Sequence, residues 1–437
     1  MMKTRLLLAS LCFSCMAADA QEVTIDGLNY YLFPDTHEAT INHDNECQGE
    51  LVIPSEVSYN GEIYIVNGIS VAAFSKSQEL TKVRIPKTID HVEHIRLSDE
   101  GFVLLTPDFD MNPFSGTTAL ECIEVDEDNP IFKAVDGVLF SKDGTRLYCY
   151  PQGIKAESYT VPECVTWIGQ AAFGGNKYIV TVELPATIEK LYTTFGGCTK
   201  LENVNLPDNM TILDIDMFAG CSSLKTINIP SGVTIIGGYA FQNCSSLESI
   251  ELPENVSEIG DYAFRNCTSL EEIVIPSSCN IISNRMLEGC SNLQKVTIQD
   301  GVTIIASEAF MDCTSLKELD LPASIKINDI GVYAFRGCKF NSLIIRGPSR
   351  YYTNLNIHIF EGMDTSTTIY CLASEVEKIK EIYDGVVLPL EDYTSGIRTT
   401  EYLSGTHAPA YDLQGRRVNG QPTKGIYIKN GKKHVKK

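Results

Sequence analysis

Short runs of alternating apolar and polar residues recur along most of the chain, and a proline closes many of them. Residues 224–241 read LKTINIPSGVTIIGGYAF, residues 247–264 read LESIELPENVSEIGDYAF and residues 270–287 read LEEIVIPSSCNIISNRML. Alternation is the periodicity of a β-strand, and proline ends a strand because it cannot donate to a ladder of hydrogen bonds. The unit L-x-x-I-x-[IL]-P therefore predicts one short strand, followed by a second apolar stretch, V-x-x-I-G, and a tight turn through A-F-x-x-C.

This unit repeats with a period of 23 residues. Steps of 23, 22, 23, 23 and 23 residues separate Pro162, Pro185, Pro207, Pro230, Pro253 and Pro276. An apolar residue, nearly always phenylalanine, keeps the same step at Phe173, Phe195, Phe218, Phe241, Phe264, Leu287 and Phe310. A cysteine keeps it at Cys198, Cys221, Cys244, Cys267, Cys290 and Cys313. Because so small a unit cannot bury its own apolar side, neighbouring units must stack about 4.8 Å apart, which predicts a right-handed solenoid of parallel strands.

The string I-P-x-x-V-x-x-I-G-x-x-A-F-x-x-C-x-x-L resembles the repeat of the BspA-like family of leucine-rich repeat surface proteins of bacteria, over about residues 21–395. The resemblance implies an α/β leucine-rich-repeat solenoid, predominantly of short parallel β-strands with turns and little helix. Residues 128–151 are similar to a hairpin-bearing insertion of that family. The family resemblance also implies a surface adhesin or interaction protein that binds host matrix proteins or other cells, without catalysis or a cofactor. It does not identify any binding residue in this chain.

The rest of the chain divides around the solenoid. Residues 1–20 have a basic start, an apolar stretch and an Ala-x-Ala site, which is the pattern of a cleavable secretory signal. Near the other end, Ser374 to Glu377 forms a capping box that predicts a short helix. The predicted units are a signal at 1–20, an N-terminal cap at 21–50, the solenoid at 51–348 with insertions near 96–113 and 128–151, a C-terminal cap at 349–394, a linker at 395–410 and a basic tail at 411–437.

The tail, residues 411–437, is basic in an otherwise acidic chain. Its segment GIYIKNGK predicts a β-hairpin, because Asn430-Gly431 suits a two-residue type I′ turn. It resembles the C-terminal tails of proteins sorted to the surface by the type IX secretion system. Two other interpretations stay open, a solvated basic tail and a contact with an anionic polymer of the cell envelope.

Charge and hydropathy exclude two classes of partner. The 437 residues carry 35 Lys and Arg against 56 Asp and Glu, a formal net charge of −21. Nucleic acid is excluded as a partner because phosphate contacts need clustered Lys and Arg, which occur only in the last few residues. No apolar run approaches the roughly 20 residues that span a bilayer, apart from the shorter one in the signal, so the mature chain is expected to have no membrane span.

Candidate chemistry is sparse. Equivalent cysteines of a solenoid form a line, whereas a zinc site needs ligands that converge, and parallel Cβ vectors oppose a disulfide, so buried free thiols are predicted. The acidic turn at 126–129 lacks calcium-binding spacing, and His91 and His94 are interpreted as surface residues rather than metal ligands. No catalytic motif is present, so the sequence predicts no enzyme activity, no cofactor and no metal.

Two outward rows of side chains are available for binding. The row on the first strand of each unit is polar, becomes acidic towards the C-terminal end and lacks aromatic residues, which disfavours glycan binding there. In the second stretch, the residue before each inward-pointing Ile or Leu should face outward, which gives Trp167, Lys190, Ile212, Ile235, Glu258, Ile281 and Ile304. The alternative is a bend that tucks both rows inside. If the row is exposed, its apolar members are the candidate partner-binding residues: Trp167, Ile212, Ile235, Ile281 and Ile304.

The leading functional hypothesis is therefore a secreted or cell-surface protein that binds a protein partner, such as a host extracellular-matrix protein, without catalysis. The alternative is a structural or carbohydrate-associated component of the cell envelope, retained through residues 411–437. A hydrolase would have to depend on residues 96–113, whose pattern the sequence leaves unassigned. The partner and the oligomeric state are not determined by the sequence.

Overall fold

A computed structural model of the protein describes residues 20–349 apart from 72, 98–102 and 108–111, and residues 357–395. Outside these ranges it defines strand backbone only, at residues 17–18, 410–411, 417–418, 425–429 and 432–436. The predicted signal and linker lie almost entirely outside the described residues. Among the residues described, no helix is both long and apolar enough to cross a bilayer.

Strands make up nearly all of the regular structure. The strands before residue 150 are β1 (Ala17–Ala18), β2 (Gln21–Ile25), β3 (Leu28–Phe33), β4 (Glu38–Ile41), β5 (Gln48–Val52), β6 (Glu56–Tyr59), β7 (Glu62–Ser70), β8 (Glu79–Ile85), β9 (His91–Leu97), β10 (Val103–Pro107), β11 (Cys122–Val125), β12 (Phe132–Val135), β13 (Val138–Ser141) and β14 (Arg146–Cys149). The repeats that follow contain β15 (Ser158–Thr160), β16 (Trp167–Ile168), β17 (Thr181–Glu183), β18 (Lys190–Leu191), β19 (Asn203–Val204), β20 (Ile212–Leu213), β21 (Ile235–Ile236), β22 (Glu258–Ile259), β23 (Glu272–Ile275), β24 (Ile281–Ile282), β25 (Lys295–Ile298), β26 (Ile304–Ile305) and β27 (Glu318–Leu321). The C-terminal part contains β28 (Ser342–Ile345), β29 (Thr368–Cys371), β30 (Val386–Pro389), β31 (Ala410–Tyr411), β32 (Arg417–Val418), β33 (Gly425–Lys429) and β34 (Lys432–Lys436).

Helix is confined to four short segments in the described chain. The two 3₁₀ turns are Ile327–Asp329 and Ala373–Glu375, and the two α-helices are α1 (Val376–Lys380) and α2 (Leu390–Ser395). The fold class inferred from the repeat, short parallel strands with little helix, is confirmed.

The strands stack into two parallel ladders. The first ladder contains the strands that end at proline or its equivalent, in the sheets β5-β8-β11, β15-β17-β19, β23-β25 and β27-β28-β29-β30. The second ladder contains the V-x-x-I stretches, in the sheets β14-β16-β18, β20-β21-β22 and β24-β26. Partners follow the repeat, since Ile212 pairs with Ile235 and Glu272 pairs with Lys295.

The sequence unit is regular, but strand pairing in the first ladder is not. Between β19 and β23, every residue is described and no strand is present in the first ladder, although Ile227, Ile229 and Ile250 stay buried there. A backbone hydrogen bond from Glu248 N to Lys225 O at 2.9 Å and an isolated bridge between Ser249 and Glu272 join these coils on the side of the first ladder. The second ladder remains paired over the same coils through β20, β21 and β22.

A column of phenylalanine rings fills the interior. Ring centroids lie 5.4 to 5.5 Å apart from Phe173 through Phe195, Phe218 and Phe241 to Phe264. Each ring is completely buried. A column of this kind follows from the 23-residue step, because equivalent positions of successive coils lie one strand spacing apart.

The predicted ladder of free thiols is observed. All thirteen cysteines from Cys47 onward are unbridged, and the six repeat cysteines are buried. Each repeat thiol also donates to the carbonyl oxygen of the phenylalanine, or its leucine equivalent, in the preceding coil, as Cys244 Sγ does to Phe218 O at 3.1 Å. Burial raises the pKa of Cys244 and Cys290 to about 12, so these thiols are poor nucleophiles.

The turn after each ring requires a left-handed residue two positions beyond the phenylalanine. That residue has a φ between 59° and 77° in nine coils, and it is Gly175, Gly197, Gly220, Asn243, Asn266, Gly289, Asp312, Gly337 or Gly362. Glycine, asparagine and aspartate are the residues that adopt this conformation at low cost. The varied composition of this position therefore reflects one backbone requirement.

The segment around residues 132–149 separates two parts of the core. Strands β12, β13 and β14 form an antiparallel meander, whose last strand pairs in parallel with β16. Phe140 and Leu147 pack into the core of the repeats, whereas Leu139 and Tyr148 pack into the core of the N-terminal sheet, which has the order β1-β10-β9-β7-β4-β3-β2 with β6 on β7. In the other predicted insertion, near 96–113, the backbone of β9 and β10 forms a hairpin.

At the C-terminal end, α1 exists but the predicted capping box does not. Ser374 lies inside the 3₁₀ turn Ala373–Glu375, and no side chain caps the helix at Glu375. The Ser374 hydroxyl instead donates to the Glu375 carboxylate at 3.3 Å, because the preceding turn moves it away from the free amides.

Helix α2 packs beside β29 and β30, and its Tyr393 hydroxyl donates to Glu318 at 3.0 Å. In the tail, β33 and β34 pair as a hairpin with Lys429 opposite Lys432.

Candidate functional site

The outward row of the second ladder forms an exposed stripe. We term Trp167, Lys190, Ile212, Ile235, Glu258, Ile281 and Ile304 the stripe. The residue that follows each of them is buried, whereas Ile212 is 47% exposed, Ile281 is 40% exposed, and Trp167, Ile235 and Ile304 are half-buried. The alternative in which a bend buries both rows is therefore wrong, because strand alternation continues through these two-residue strands. The binding role of the stripe stays a prediction.

Strand pairing holds the stripe residues in line. Trp167 pairs with Lys190, Ile235 pairs with both Ile212 and Glu258, and Ile281 pairs with Ile304. Because the backbone is paired within β16-β18, within β20-β21-β22 and within β24-β26, the stripe residues of each group project from a paired support. The stripe thus consists of two apolar pairs, with Glu258 between them and Trp167 with Lys190 at one end.

Trp167 lies among cations and a tyrosine. The guanidinium carbon of Arg146 is 3.9 Å from the Trp167 ring centroid, and Lys190 Nζ is 5.3 Å from it. The Tyr192 ring centroid is 6.2 Å away. Trp167 Nε1 is buried and has no hydrogen-bond acceptor among the described residues. Sequence reasoning missed Arg146, because this residue belongs to the insertion rather than to the 23-residue series and meets Trp167 only through the pairing of β14 with β16.

The outward face of the first ladder is polar, and a groove of about 1030 Å³ lies at its N-terminal end. Val52, Arg84 and Glu124 line it in one row across β5, β8 and β11. Lys82 Nζ lies 2.6 Å from Glu124 Oε1, and Arg84 Nη2 lies 2.7 Å from Glu124 Oε2. These two cations lower the pKa of the Glu124 carboxyl. Arg84 and Glu124 are therefore paired with each other, and the acidic residues Asp126, Glu127 and Asp128 line the same groove.

A second groove of about 630 Å³ on the same face is lined by hydroxyl and amide groups, including those of Thr181, Asn203 and Thr226. Next to it, the Asn205 side chain accepts from Leu184 N and donates to Leu184 O, both at 2.8 Å. Asn205 thus extends the pairing of β17 with β19 by one residue, through its side-chain amide. The groove contains no aromatic ring, as expected from the sequence of this row.

A stacked pair of tyrosines on the turn face was not foreseen. The Tyr239 and Tyr262 ring centroids lie 4.7 Å apart with planes 7° from parallel, and Tyr239 is 36% exposed. Arg265 and Arg285 flank the Tyr262 ring at 5.6 and 5.8 Å. Arg265 Nη2 donates to Glu288 at 3.1 Å, while Arg265 Nε and the second Glu288 oxygen are close but lack hydrogen-bond geometry. The signal in the sequence was Tyr at equivalent positions of two successive units.

The candidates for metal binding are the acidic turn at 126–129 and the pair His91 and His94. Asn129, in the acidic turn, is fully buried and holds four backbone groups of residues 86, 89, 131 and 132. His91 and His94 lie in strand β9, so the helical spacing that could bring them together on one metal does not occur. His91 contacts Asp90. In the described part of the chain, no three His, Cys, Asp or Glu side chains are grouped so as to hold a metal ion.

Comparison with known proteins identifies the repeat. A family model described as the BspA type leucine-rich repeat region matches residues 146–248, 191–317 and 234–367, with six copies, and these matches together span half of the chain. No match to a curated protein is found.

Several solved structures are similar to the chain. A leucine-rich repeat protein from Bacteroides ovatus is 23% identical, with a TM-score of 0.48, over 84% of this chain and 100% of that one. A leucine-rich cell surface protein from Faecalibacterium prausnitzii is 19% identical, with a TM-score of 0.40, over 84% of this chain and 99% of that one. The pneumococcal vaccine antigen PcpA is 15% identical, with a TM-score of 0.31, over 84% of this chain and 98% of that one.

Proposed function

The chain belongs to the family of BspA-type leucine-rich repeat proteins, and from that premise we propose that it is an exported, non-catalytic protein that binds a protein partner through the stripe. The partner class we favour is a host extracellular-matrix protein, which is what the resemblance to surface adhesins implies. The protein would act as a rigid support for a row of contact residues rather than as a pocket for a small molecule.

One observation carries the proposal, the outward apolar pairs Ile212 with Ile235 and Ile281 with Ile304. Aliphatic side chains that stand in register on a surface, with an aromatic residue at one end, are typical of a protein interface rather than of a solvated face. The two grooves on the first ladder support the same choice, because no aromatic ring lines either of them; the rings of Tyr370 and Tyr393 lie at the C-terminal end of this ladder, 4.9 Å apart.

Export is supported by residues 1–20, whose basic start, apolar stretch and Ala-x-Ala site are those of a cleavable signal. We propose a secreted or cell-surface location on this basis. The absence of a recognisable catalytic motif in the sequence supports a non-catalytic role. The buried thiols of the repeats donate to backbone carbonyl oxygens.

The test is equilibrium binding of the exported chain, residues 21–437, to a panel of immobilised matrix proteins. A stripe variant has Trp167, Ile212, Ile235, Ile281 and Ile304 changed to Ser. The control variant changes five other exposed apolar residues to Ser, and these are Val52, Ile63, Val135, Val274 and Val386, which are 64, 55, 47, 43 and 52% exposed. Circular dichroism checks that both variants fold. Saturable binding that the stripe variant loses and the control variant keeps is the expected result.

Binding that both variants lose to the same extent would place the contact elsewhere and would refute the stripe as its site. No binding by the unmodified chain to any matrix protein would refute the adhesin role for that panel. That result would favour the second candidate function, a component of the cell envelope.

The second candidate function has its own support in the tail. Residues 411–437 contain Arg416, Arg417, Lys432, Lys433, Lys436 and Lys437 in a chain of net charge −21. A cationic segment of this kind can be retained by an anionic envelope polymer. If this role holds, a chain that ends at residue 395 loses retention on isolated cell envelopes, while the stripe variant keeps it.

A further inference from the structure

A second row of outward side chains lies beside the stripe, four residues later in each of five coils. We term its members, Asp216, Tyr239, Tyr262, Arg285 and Glu308, the turn row. Each has a positive φ between 51° and 61°, and its backbone N–H donates to a carbonyl oxygen of the next coil at 3.0 Å. Because the five share a left-handed φ and one hydrogen bond, their side chains leave the surface in the same direction, one coil apart. Left-handed backbone favours glycine over bulky residues, so a row without glycine keeps its side chains at a cost in backbone energy.

On the C-terminal side, the tyrosine pair of the turn row is followed by a cation and a carboxylate. The Tyr239 and Tyr262 rings stack with their centroids 4.7 Å apart, and the guanidinium carbon of Arg285 lies 5.8 Å from the Tyr262 centroid. Arg285 Nη2 donates to Glu308 Oε1 at 2.9 Å. The order along the row is thus ring, ring, guanidinium and carboxylate, in which the guanidinium has both an aromatic contact and an ion pair.

On the N-terminal side, a ring and a carboxylate are neighbours without a cation between them. Within the described residues, no Lys or Arg lies over the Tyr239 ring, and the Asp216 carboxylate forms neither a hydrogen bond nor an ion pair. Burial raises the pKa of the Asp216 carboxyl, since no cation offsets its desolvation. Tyr262 covers one face of the Tyr239 ring, so the 36% of Tyr239 that is exposed lies on the ring edge and on the face towards Asp216.

Short or apolar side chains surround the Asp216 carboxylate. Ala219 occupies the position that holds Gln242 and Arg265 in the next two coils, and its side chain is too short to cover Asp216. Ile215, which precedes Asp216, is 53% exposed. A side chain that enters here from outside meets aliphatic surface, an aromatic face and a carboxylate. A long basic side chain matches all three, because it has an apolar stem and a cationic head.

From this arrangement we infer that Ile215, Asp216 and Tyr239 form a receptor for one arginine side chain of the protein partner. The guanidinium stacks on the Tyr239 ring and pairs with the Asp216 carboxylate, while the methylene groups of the arginine cover Ile215. The inference rests on the proposed function, since it assumes a protein partner, and it names the chemistry that this partner presents beside the stripe.

A guanidinium fits this site better than an ammonium group. Adjacent coils are about 4.8 Å apart, close to the distance at which a guanidinium stacks on an aromatic ring. Aspartate is shorter than tyrosine, so the Asp216 carboxylate ends closer to the backbone than the Tyr239 ring does. A guanidinium that lies parallel to the outer part of the ring can therefore donate, in its own plane, to the carboxylate below it. Arg285 makes the same two kinds of contact, with the Tyr262 ring and the Glu308 carboxylate, at the other end of the turn row.

The probe is the acetylated and amidated pentapeptide Gly-Leu-Arg-Leu-Gly. A matched peptide has citrulline in place of arginine, which keeps the shape of the side chain and removes its charge. Nuclear magnetic resonance follows the tyrosine rings of isotope-labelled residues 21–437, and the Tyr239 signal is the one that Tyr239→Phe removes.

We expect the Tyr239 signal to shift saturably with the arginine peptide, and a nuclear Overhauser effect to join the ring protons to the δ protons of the arginine. The dissociation constant should rise at least about fivefold for the citrulline peptide and for Asp216→Asn, because each change removes one charge of the ion pair.

Two controls make the result specific. Asparagine adopts a positive φ as readily as aspartate, so Asp216→Asn keeps the backbone of the turn row. Glu251→Gln removes an exposed carboxylate from the face of the first ladder, away from the turn row, and should leave the affinity for the arginine peptide unchanged. Circular dichroism of each variant excludes loss of folding as the cause of weaker binding.

Three results would overturn the inference. The first is equal affinity for the arginine and citrulline peptides, which would reduce the contact to an apolar one. The second is an affinity for the arginine peptide that Asp216→Asn leaves intact. The third is a Tyr239 signal that a neutral oligosaccharide shifts and the arginine peptide does not, which would make the ring a sugar contact.

The proposed function is judged separately from this receptor. The stripe variant keeps every residue of the turn row, so it should bind the arginine peptide as the unmodified chain does. Failure of the peptide to bind would leave the matrix-protein result of the stripe variant as it stands, and failure of matrix-protein binding would leave the peptide result as it stands.

Discussion

Replacement of Phe241 tests whether the ring column acts as one continuous core. Phe241 is completely buried, and its centroid lies 5.5 Å from that of Phe218 and 5.4 Å from that of Phe264, with planes 11° and 1° from parallel. Truncation to Ala should cost about 3–5 kcal/mol of unfolding free energy through lost burial and the cavity. Phe264→Ala is a matched comparison, because Leu287 occupies the next slot and Phe264 therefore stacks on one ring only.

The magnitude of the difference follows from the count of ring contacts. Each stacked pair contributes about 0.5–1.5 kcal/mol beyond area burial, so Phe241→Ala should destabilise the chain by about 1 kcal/mol more than Phe264→Ala. Phe241→Leu should cost less than either truncation, because Leu287 shows that the slot accepts leucine.

Urea denaturation, followed both by circular dichroism and by Trp167 fluorescence, measures these differences. Two probes are needed because coils of a solenoid contact only their neighbours and can unfold in parts. Equal losses of unfolding free energy for Phe241→Ala and Phe264→Ala would refute the argument from stacking. A loss below about 1 kcal/mol for Phe241→Ala would refute the claim that the column carries the core.

Three further predictions concern thiols, a carboxyl group and a buried amide. A thiol reagent should modify Cys164 rapidly in the folded chain, since it is exposed, and should modify Cys244 only on unfolding; equal rates would contradict the buried ladder. Hydrogen bonds lower the pKa of Asp143 from 3.8 to about 2, so its stabilising effect is present above pH 3.8 and is lost as the pH falls towards 2. Asp143→Asn should therefore lower the melting temperature at pH 5 and lower it much less at pH 2, where about half of the Asp143 carboxyl is protonated in the folded chain, and an equal difference at the two pH values would contradict this cause. Asn129→Ala should cost at least about 2 kcal/mol in chemical denaturation, because four buried backbone groups lose their partner, and a cost below about 1 kcal/mol would show that the turn does not depend on them.

The sequence predicted the ladders well because every coil meets the same packing demand. The inward positions, the phenylalanine column and the free thiols follow from one period, and the outward stripe follows from strand alternation. The same logic explains why Gly197, Asn243 and Asp312 are interchangeable, since each satisfies one left-handed turn.

Features that depend on contacts outside the period were not predictable. Arg146 reaches Trp167 only because the insertion supplies a strand to the second ladder. The Ser374 capping box matched its motif, but a 3₁₀ turn displaced it from the helix terminus. The interruption of strand pairing between β19 and β23 was also not predictable. The repeat pattern indicates which side chains are buried, but it does not indicate how many backbone hydrogen bonds join two coils.

The interrupted pairing of the first ladder has a mechanical consequence. Between β19 and β23, one side of the solenoid is joined by a backbone hydrogen bond and an isolated bridge, while β20, β21 and β22 stay paired on the other side. Resistance to bending is therefore unequal around the axis in these coils, and a load that pulls the two ends apart should separate the coils of Ile227 and Ile250 first on the side of the first ladder. The row that carries Ile212 and Ile235 lies on the stiffer side, so it keeps its spacing while the opposite face yields.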